Sequence, residues 1–240
     1  MRSLRAQTKV EIVLSLRRRE NLFVTIFVPA AILAFFSLIP ILPTPSVDPM
    51  EFLLPGTLTL AIIATSLVAN GISTGFDRSY LVLKRLGSTP LRKIDLIAAK
   101  GASIALGELI TALVLFGIAM SLGWRPTEMR PGILVIGIIG GTAAFGSIGM
   151  FLAGVLKAET NLAVANALFL ALLLVGGILI PLASLPPGLA RIASVIPAKP
   201  VAEIIGSGLG YTAASSGAFY LVAGWAAAGT LLAAATFRWE

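Results

Sequence analysis

The chain has 240 residues, of which 57% are hydrophobic and only 12% charged, whereas about a quarter of the residues in soluble domains are charged. Its mean hydropathy is +0.97, and its apolar residues form unbroken stretches longer than the roughly 18 residues typical of a bilayer span. We therefore expect an all-α polytopic membrane protein, with one membrane domain over residues 1–240 and no separate soluble domain. The absence of Cys and His excludes a disulfide framework, a thiolate metal site and a histidine relay, and we expect no bound metal.

The first predicted element is an amphipathic helix in the cytoplasmic interface, over residues 1–21. Apolar side chains recur there at spacings of three and four residues, with cationic side chains on other faces, as in helices that lie flat among lipid headgroups. The apolar positions are Ala6, Val10, Val13 and Leu14, and the cationic positions are Arg5, Lys9 and Arg18. The alternative is a plain extension of the first span into the cytosol.

Six transmembrane helices are predicted from the long apolar stretches. They cover residues 22–42, 52–75, 94–122, 132–156, 162–182 and 217–237. The first stretch has 21 residues, which as a helix would span about 31 Å, close to the roughly 30 Å of a hydrocarbon core. A cleaved signal peptide is the competing interpretation, but its apolar region would have only about 7–15 residues and a small-x-small cleavage site would follow.

Residues 183–211, between the fifth and sixth spans, are predicted to form an external re-entrant segment. The stretch is moderately apolar, but prolines interrupt it, and each charged residue would cost about 2.5–3.5 kcal/mol at the bilayer centre. The prolines are Pro186, Pro187, Pro197 and Pro200, and the charged residues are Arg191, Lys199 and Glu203. A complete seventh span is therefore disfavoured, and we expect two short half-inserted or interfacial helices, broken near residues 197–200.

The distribution of Lys and Arg predicts which connections face the cytoplasm. Fourteen of the 18 Lys and Arg residues fall in the N-terminal tail, the second and fourth connections and the C-terminus, and four fall in the other connections. Under the positive-inside rule, both termini then face the cytoplasm. Topology and anionic headgroups explain the net charge of +7, so we expect membrane lipids and no nucleic acid as partners of these residues.

A basic strip over residues 76–93 is predicted to form a cytoplasmic helix between the second and third spans. Leu81, Leu83 and Leu86 give it apolar anchors beside Lys84 and Arg85. A short helix with leucines on one side and cations on another is suited to a groove in a soluble subunit. The alternative is an ordinary basic loop that only enforces topology.

Polar side chains within the spans are candidates for a substrate pathway. Glu108 falls near the centre of the third span, where an ionisable group is costly to bury. It is a contact for a cationic or hydroxylated substrate, part of a seam between subunits, or a protonated acid bonded to Thr111 or to a neighbouring helix. Asn70 and Asn166 either line a pathway or join helices by hydrogen bonds.

Three groups of motifs run through most of the chain. The first is Phe76-Asp77-Arg78, then Leu83-Lys84-Arg85-Leu86-Gly87-Ser88-Thr89-Pro90-Leu91 and Ala99-Lys100. The second is Arg18-Arg19-Glu20-Asn21-Leu22-Phe23 followed by Pro29, and the third is Gly176-Gly177-Ile178-Leu179-Ile180-Pro181 with Leu185-Pro186-Pro187-Gly188-Leu189 and Ile196-Pro197. Their order and spacing resemble those of ABC-2-type transporter permeases, with bacterial drug, antibiotic and daunorubicin-type exporters as the nearest group. Asp77 stands where the family more often has Glu.

The resemblance implies an exporter subunit of the bacterial cytoplasmic membrane, paired with a second identical or divergent permease and with two ATP-binding subunits. The basic strip would be the coupling helix that passes the motion of the ATPase to the spans. Its coupling residues would be Asp77, Arg78, Leu83, Lys84, Arg85, Leu86, Thr89 and Pro90. The chain has no Gly-x-x-x-x-Gly-Lys-[Ser/Thr] loop, so we expect the partner to bind ATP and Mg²⁺, and this chain not to be an enzyme. The implied substrate is amphipathic and drug-like or lipid-like, or alternatively a lipid-linked polysaccharide.

A proton-coupled secondary transporter that uses Glu108 is an alternative from a different class. Such a protein needs titratable groups inside the membrane, and no His, Lys or Arg accompanies Glu108 at mid-depth. An intramembrane enzyme is a further alternative, but the sequence has no Asp pair, histidine site or serine nucleophile with a base. The ATP-driven exporter is the favoured interpretation.

Overall fold

The computed structural model describes residues 2–17, 19–39, 48–87, 93–126, 128–211 and 213–236. Within these ranges the regular elements are helices, as predicted. They are α1 (Arg2–Arg17), α2 (Arg19–Leu38), α3 (Met50–Ile62), a π-helical segment (Ile63–Ala69), α4 (Asn70–Ser79), α5 (Val82–Gly87), α6 (Lys93–Ser121), α7 (Pro131–Val155), α8 (Ala158–Val175), a 3₁₀ turn (Leu182–Ser184), α9 (Pro187–Val195), α10 (Ala198–Gly208) and α11 (Ser216–Thr236).

Five helices in the described part of the chain are long and apolar enough to cross a membrane, which confirms the prediction of a polytopic membrane protein. They are Met50–Ser79, Ala98–Ser121, Pro131–Val155, Ala158–Val175 and Ser216–Thr236. The first predicted span, residues 22–42, stays a prediction. The described apolar part of α2 is only Thr25–Leu38, and residues 40–47 lie outside the described ranges.

The helix Met50–Ser79, made of α3, the π-helical segment and α4, lies at the centre of the bundle, and we call it the central helix. Its most apolar window is 83% buried, whereas the corresponding windows of the other four long helices are 17–44% buried. It packs against α2, α6, α7, α8 and α10. The contact with α7 is close, because a Cβ built at Gly149 would lie 2.7 Å from the carbonyl oxygen of Leu67. Small residues allow such close approach between membrane helices.

The fifth predicted span is shorter than expected, because α8 ends at Val175 and not at residue 182. Gly177 has φ +70°, a left-handed conformation that glycine adopts without a steric cost. The irregular backbone that follows is covered by protein, since Ile178 is fully buried and its carbonyl oxygen occupies the place of a side chain at Gly56 on α3. Non-helical backbone within a membrane domain requires cover of this kind.

Residues 183–211 contain two short helices, α9 and α10, which meet at residues 196–197. α9 is mostly exposed, whereas α10 is buried against α3 and α7, with Ile205 fully buried. The indole Nε1 of Trp225 on α11 donates a hydrogen bond of 2.8 Å to the carbonyl oxygen of Val195 at the end of α9. The segment is therefore built into the bundle, and its depth in the membrane stays a prediction.

The N-terminal helix α1 packs along α6, so it belongs to the bundle. Val10, Val13 and Leu14, three of its predicted apolar positions, are exposed. An exposed apolar face is suited to the headgroup boundary of a bilayer. The interfacial location of α1 stays a prediction.

Candidate functional site

The carboxyl group of Glu108 lies in the middle of the bundle on α6, and only 7% of the residue is exposed. Its Oε1 accepts hydrogen bonds from Ser66 Oγ at 2.8 Å and from Thr65 Oγ1 at 3.2 Å. Its Oε2 accepts a hydrogen bond from Thr142 Oγ1 at 2.7 Å. Since Thr65 and Ser66 belong to the central helix and Thr142 to α7, Glu108 joins three helices.

These three hydroxyl groups do not saturate the carboxyl group. Each hydroxyl has one proton to donate, and Thr65 Oγ1 and Thr142 Oγ1 also lie 2.9 Å and 2.8 Å from carbonyl oxygens of their own helices. An ionised carboxylate offers about four acceptor positions. Glu108 therefore keeps the capacity to accept a hydrogen bond from a further donor.

The π-helical segment explains how two adjacent residues reach one carboxyl group. Successive side chains on an α-helix point about 100° apart, whereas the i→i+5 turn of a π-helix is wider. The wider turn reduces that angle, so Thr65 and Ser66 both face Glu108. π-helical turns are rare and often occur at functional sites. The π-helical segment is therefore a second indication, besides the buried carboxyl group of Glu108, that this region is functional.

A cavity of about 670 Å³ lies beside Glu108, between α3, α6 and α7, and this volume falls in the range of about 300–1,000 Å³ that is typical of small-molecule sites. Glu108 and Thr142 are the polar side chains among the described residues that line it. The apolar walls include Leu58, Ile62, Leu109, Ala112, Phe116 and Ile138. We call this space the Glu108 cavity.

The two asparagines predicted for a substrate pathway lie away from the Glu108 cavity. Asn70 is the first residue of α4 and is half-buried, and Asn166 is exposed on α8, where its Nδ2 donates to the carbonyl oxygen of Leu162 in its own helix. By contrast, Asn161 is fully buried, and its Nδ2 donates a hydrogen bond of 2.8 Å to the carbonyl oxygen of Gly71 on α4. Of the three predicted pathway residues, Glu108 is the one that lines the cavity.

Charged side chains tie four helices together at the end of the central helix, and we call this group the polar corner: Glu11, Asp77, Arg78 and Lys100. Lys100 Nζ lies 2.9 Å from Asp77 Oδ2 and 3.6 Å from Glu11 Oε2, and its side chain is only 8% exposed. These ion pairs join α6 to α4 and α1. Separating them is costly, because a buried charge that loses its partner is left uncompensated.

Arg78 adds the contact between the polar corner and α7. Its guanidinium donates to the carbonyl oxygen of Gly154 and, at 2.6 Å, to that of Leu156, at the end of α7. The last carbonyl groups of a helix have no partner within it and carry partial negative charge, so a guanidinium is well suited to bind them. Asp77 and Arg78, both predicted as coupling residues, thus make contacts within the chain.

The turn that follows the polar corner exposes apolar and cationic side chains, which we call the exposed tip: Tyr80, Leu81, Val82, Lys84 and Arg85. Tyr80 is 68% and Leu81 51% exposed. Leu81 has φ +59°, a strained conformation for a bulky residue that is often found at functional sites. The remaining predicted coupling residues lie partly or wholly outside the described part of the structure. The side chains of Leu83 and Leu86 are not described, and neither are the residues Thr89 and Pro90.

A comparison with protein families identifies the chain. The family model of the ABC-2 type transporter matches residues 2–209. The chain belongs to the ABC-2 type transporter family. No curated protein matches it at a significant level. Members of the family are membrane components that work with ABC ATPase subunits and are not themselves enzymes, so this chain is the multi-pass membrane component of an ABC transporter.

In this ABC-2 chain, the sequence predicted Glu108 but not its partners Thr65, Ser66 and Thr142. One available signal is the adjacent Thr-Ser pair inside a long apolar span. Hydroxyl side chains in membrane helices hydrogen-bond to the carbonyl group four residues earlier or across the helix interface. Thr65 lies within reach of both kinds of acceptor, and Ser66 donates across the interface.

Proposed function

We propose that this ABC-2 chain is the permease subunit of an ATP-driven exporter in the bacterial cytoplasmic membrane, with both termini in the cytoplasm. A separate ATPase subunit binds ATP and Mg²⁺ and docks on the exposed tip. Two permease subunits, identical or divergent, form the transport pathway between them. The exported substrate is amphipathic and drug-like or lipid-like.

The observation that carries this proposal is the short rigid link between the exposed tip and the Glu108 cavity. The tip follows directly on α4, which the polar corner holds against α1, α6 and α7. The same central helix carries Ser66, whose hydroxyl binds Glu108. Ser66 and Arg78 are 12 residues apart, about 18 Å at about 1.5 Å per residue. A force applied at the tip can therefore reach the cavity along one helix.

The chemistry of the exposed tip indicates what its partner offers. Lys84 and Arg85 are cationic, and Tyr80 and Leu81 are exposed apolar side chains on the turn beside them. A groove with an apolar floor and an acidic rim complements such a surface. Movement of that groove during the ATP cycle would be passed to the central helix and, through the polar corner, to α1, α6 and α7.

Reconstitution in lipid vesicles tests the proposal, with the chain and the ABC ATPase subunit that we expect a neighbouring gene to encode. We expect the permease to stimulate ATP hydrolysis several-fold, and vesicles whose ATPase faces outward to accumulate an amphipathic dye when ATP is added outside. An ATPase that lacks its P-loop lysine serves as the control and should support neither effect. Dye uptake that follows a proton gradient and ignores ATP would contradict the proposal and favour a secondary transporter.

A further inference from the structure

We infer that the Glu108 cavity binds the ammonium group of an amphipathic organic cation, with the apolar part of the ligand against the cavity wall. The inference rests on the proposed function and deepens it, because it names the class of substrate that the exporter carries. Three features of the site point to this class: its charge, its free acceptor positions and its shape.

The charge of the site favours a cation. Glu108 is the ionisable side chain in the cavity lining, and in the part of the chain that the structure describes, no Lys or Arg forms an ion pair with it. A buried carboxylate that no cation pairs with is costly even when hydroxyl groups donate hydrogen bonds to it. A cationic ligand offsets this cost, and the attraction is stronger than in water because the local dielectric constant is low. An anionic ligand would meet a like charge.

The hydrogen-bonding capacity favours an ammonium group that carries N–H donors. The surrounding hydroxyl groups leave acceptor capacity on the carboxyl group of Glu108, and those of Thr65 and Thr142 have alternative acceptors in their own helices. A primary ammonium has three donors on a compact point charge. A primary ammonium can therefore bind the carboxylate while the hydroxyl groups of Thr65 and Thr142 donate to carbonyl oxygens of their own helices. A quaternary ammonium lacks N–H donors, so the site should bind it less tightly.

The shape of the Glu108 cavity favours an amphipathic ligand. The walls are apolar apart from Glu108 and Thr142, and the lining includes Gly101, Leu109 and Ile139, which are exposed on the outer faces of α6 and α7. The cavity therefore opens on the side of the bundle. A molecule that is already concentrated in the lipid can enter from that side, with its cationic end reaching Glu108 and its apolar end remaining against the walls.

The test compares two probes that share the same dansyl body and linker and differ at one end, which is cationic in one and neutral in the other. Dansylcadaverine ends in a primary ammonium, and its N-acetyl derivative ends in a neutral amide. Binding to the full-length chain in lipid nanodiscs is followed by dansyl fluorescence without any ATPase present, and the signal from empty nanodiscs is subtracted. We expect the chain to bind the cation at least about tenfold more tightly than the neutral probe.

Three variants assign this preference to the cavity. Glu108→Gln keeps the size of the side chain and one acceptor oxygen, and should weaken binding of the cation by about tenfold or more while changing that of the neutral probe by less than about twofold. Gly101→Leu adds a bulky side chain at a residue that lines the cavity, where nothing lies within 4 Å of a Cβ. It should weaken binding of both probes and retain the preference between them. Glu159→Gln, at an exposed carboxylate on α8, is the matched control and should change neither.

Equal binding of the two probes by the unmodified chain would overturn the inference, because it would indicate an unselective cleft for lipid tails. A preference that persists in Glu108→Gln would overturn it as well. Were Glu108→Gln to fail to fold, the unmodified chain with both probes and Gly101→Leu would still decide the question. The binding assay contains no ATPase, so its result is independent of ATP-driven transport. A failure of ATP-driven transport would contradict the proposed function but not this inference. Equal binding of the two probes would contradict this inference but not the proposed function.

Discussion

The double variant Lys84→Glu/Arg85→Glu is expected to abolish stimulation of the partner ATPase and ATP-driven transport, while the chain still folds and enters the membrane. Both side chains are exposed on α5, so we expect the packing of the bundle to tolerate the change. Opposed like charges cost several kcal/mol at an interface, which corresponds to a loss of affinity of about a hundredfold or more. The measurement is ATPase activity as a function of permease concentration, together with co-purification of the two proteins.

Arg125→Glu and Arg191→Glu are the controls for this prediction. Both residues are exposed and lie in connections that are predicted to face the opposite side of the membrane. Each should leave the association and the ATPase activity unchanged. If the Lys84→Glu/Arg85→Glu variant stimulated the ATPase fully, docking of the ATPase on the exposed tip would be contradicted.

Replacing Lys100 by Met is expected to lower the free energy of unfolding by about 3–5 kcal/mol. The change leaves the carboxylates of Asp77 and Glu11, which are 20% and 14% exposed, without their shared cation. Methionine fills a volume similar to that of lysine, so the decrease in the free energy of unfolding measures the effect of the lost charge. The measurement is denaturation of the purified chain in mild detergent. Lys157→Met, at an exposed position, is the control and should change the free energy by less than about 0.5 kcal/mol.

A compensated variant separates charge from packing in the polar corner. Adding Asp77→Asn and Glu11→Gln to Lys100→Met removes the three charges of these ion pairs, and the triple variant should regain most of the lost stability because neither carboxylate is then left without Lys100. If Lys100→Met were as stable as Lys157→Met, the polar corner would be too well solvated to hold the four helices together.

Three of the five long helices in the described part of the chain could be predicted from the sequence to within one residue at each end. The predicted span at residues 132–156 is the helix Pro131–Val155, and the one at residues 94–122 is α6, Lys93–Ser121. These stretches are predominantly apolar and are flanked by Gly, Pro or charged residues, so length and hydropathy are enough to define them.

The end of the fifth span could not be predicted in the same way, because residues 176–181 are as apolar as the helix before them. Gly177 permits the break, but Gly56, far away in the sequence, provides the space for the carbonyl oxygen of Ile178. The sequence does not record this pairing. Gly56 and the irregular backbone at Ile178 come into contact only in the folded chain.

The roles of charges were the least predictable part of the candidate site. Asp77 and Arg78 belong to a basic strip in the sequence, yet they extend the central helix and bind residues far away, Asp77 to Lys100 and Arg78 to Gly154. Glu108 could be predicted because an ionisable group within a span is costly wherever it lies. Its partners could not, since Thr65 and Ser66 face it only through the π-helical segment, which propensity does not indicate.

In the proposed function, force from the ATPase enters this chain at the exposed tip. The chain has no Cys, so a single Lys84→Cys substitution places a thiol-reactive cross-linker at the tip of an assembled, ATP-hydrolysing transporter, and Arg191→Cys places it at the control position. We predict a cross-link to the ATPase from residue 84, with a yield that changes when ATP is added, and none from residue 191. An ATPase that is stimulated normally yet never cross-links to residue 84, or that cross-links to residue 191 instead, would contradict the claim.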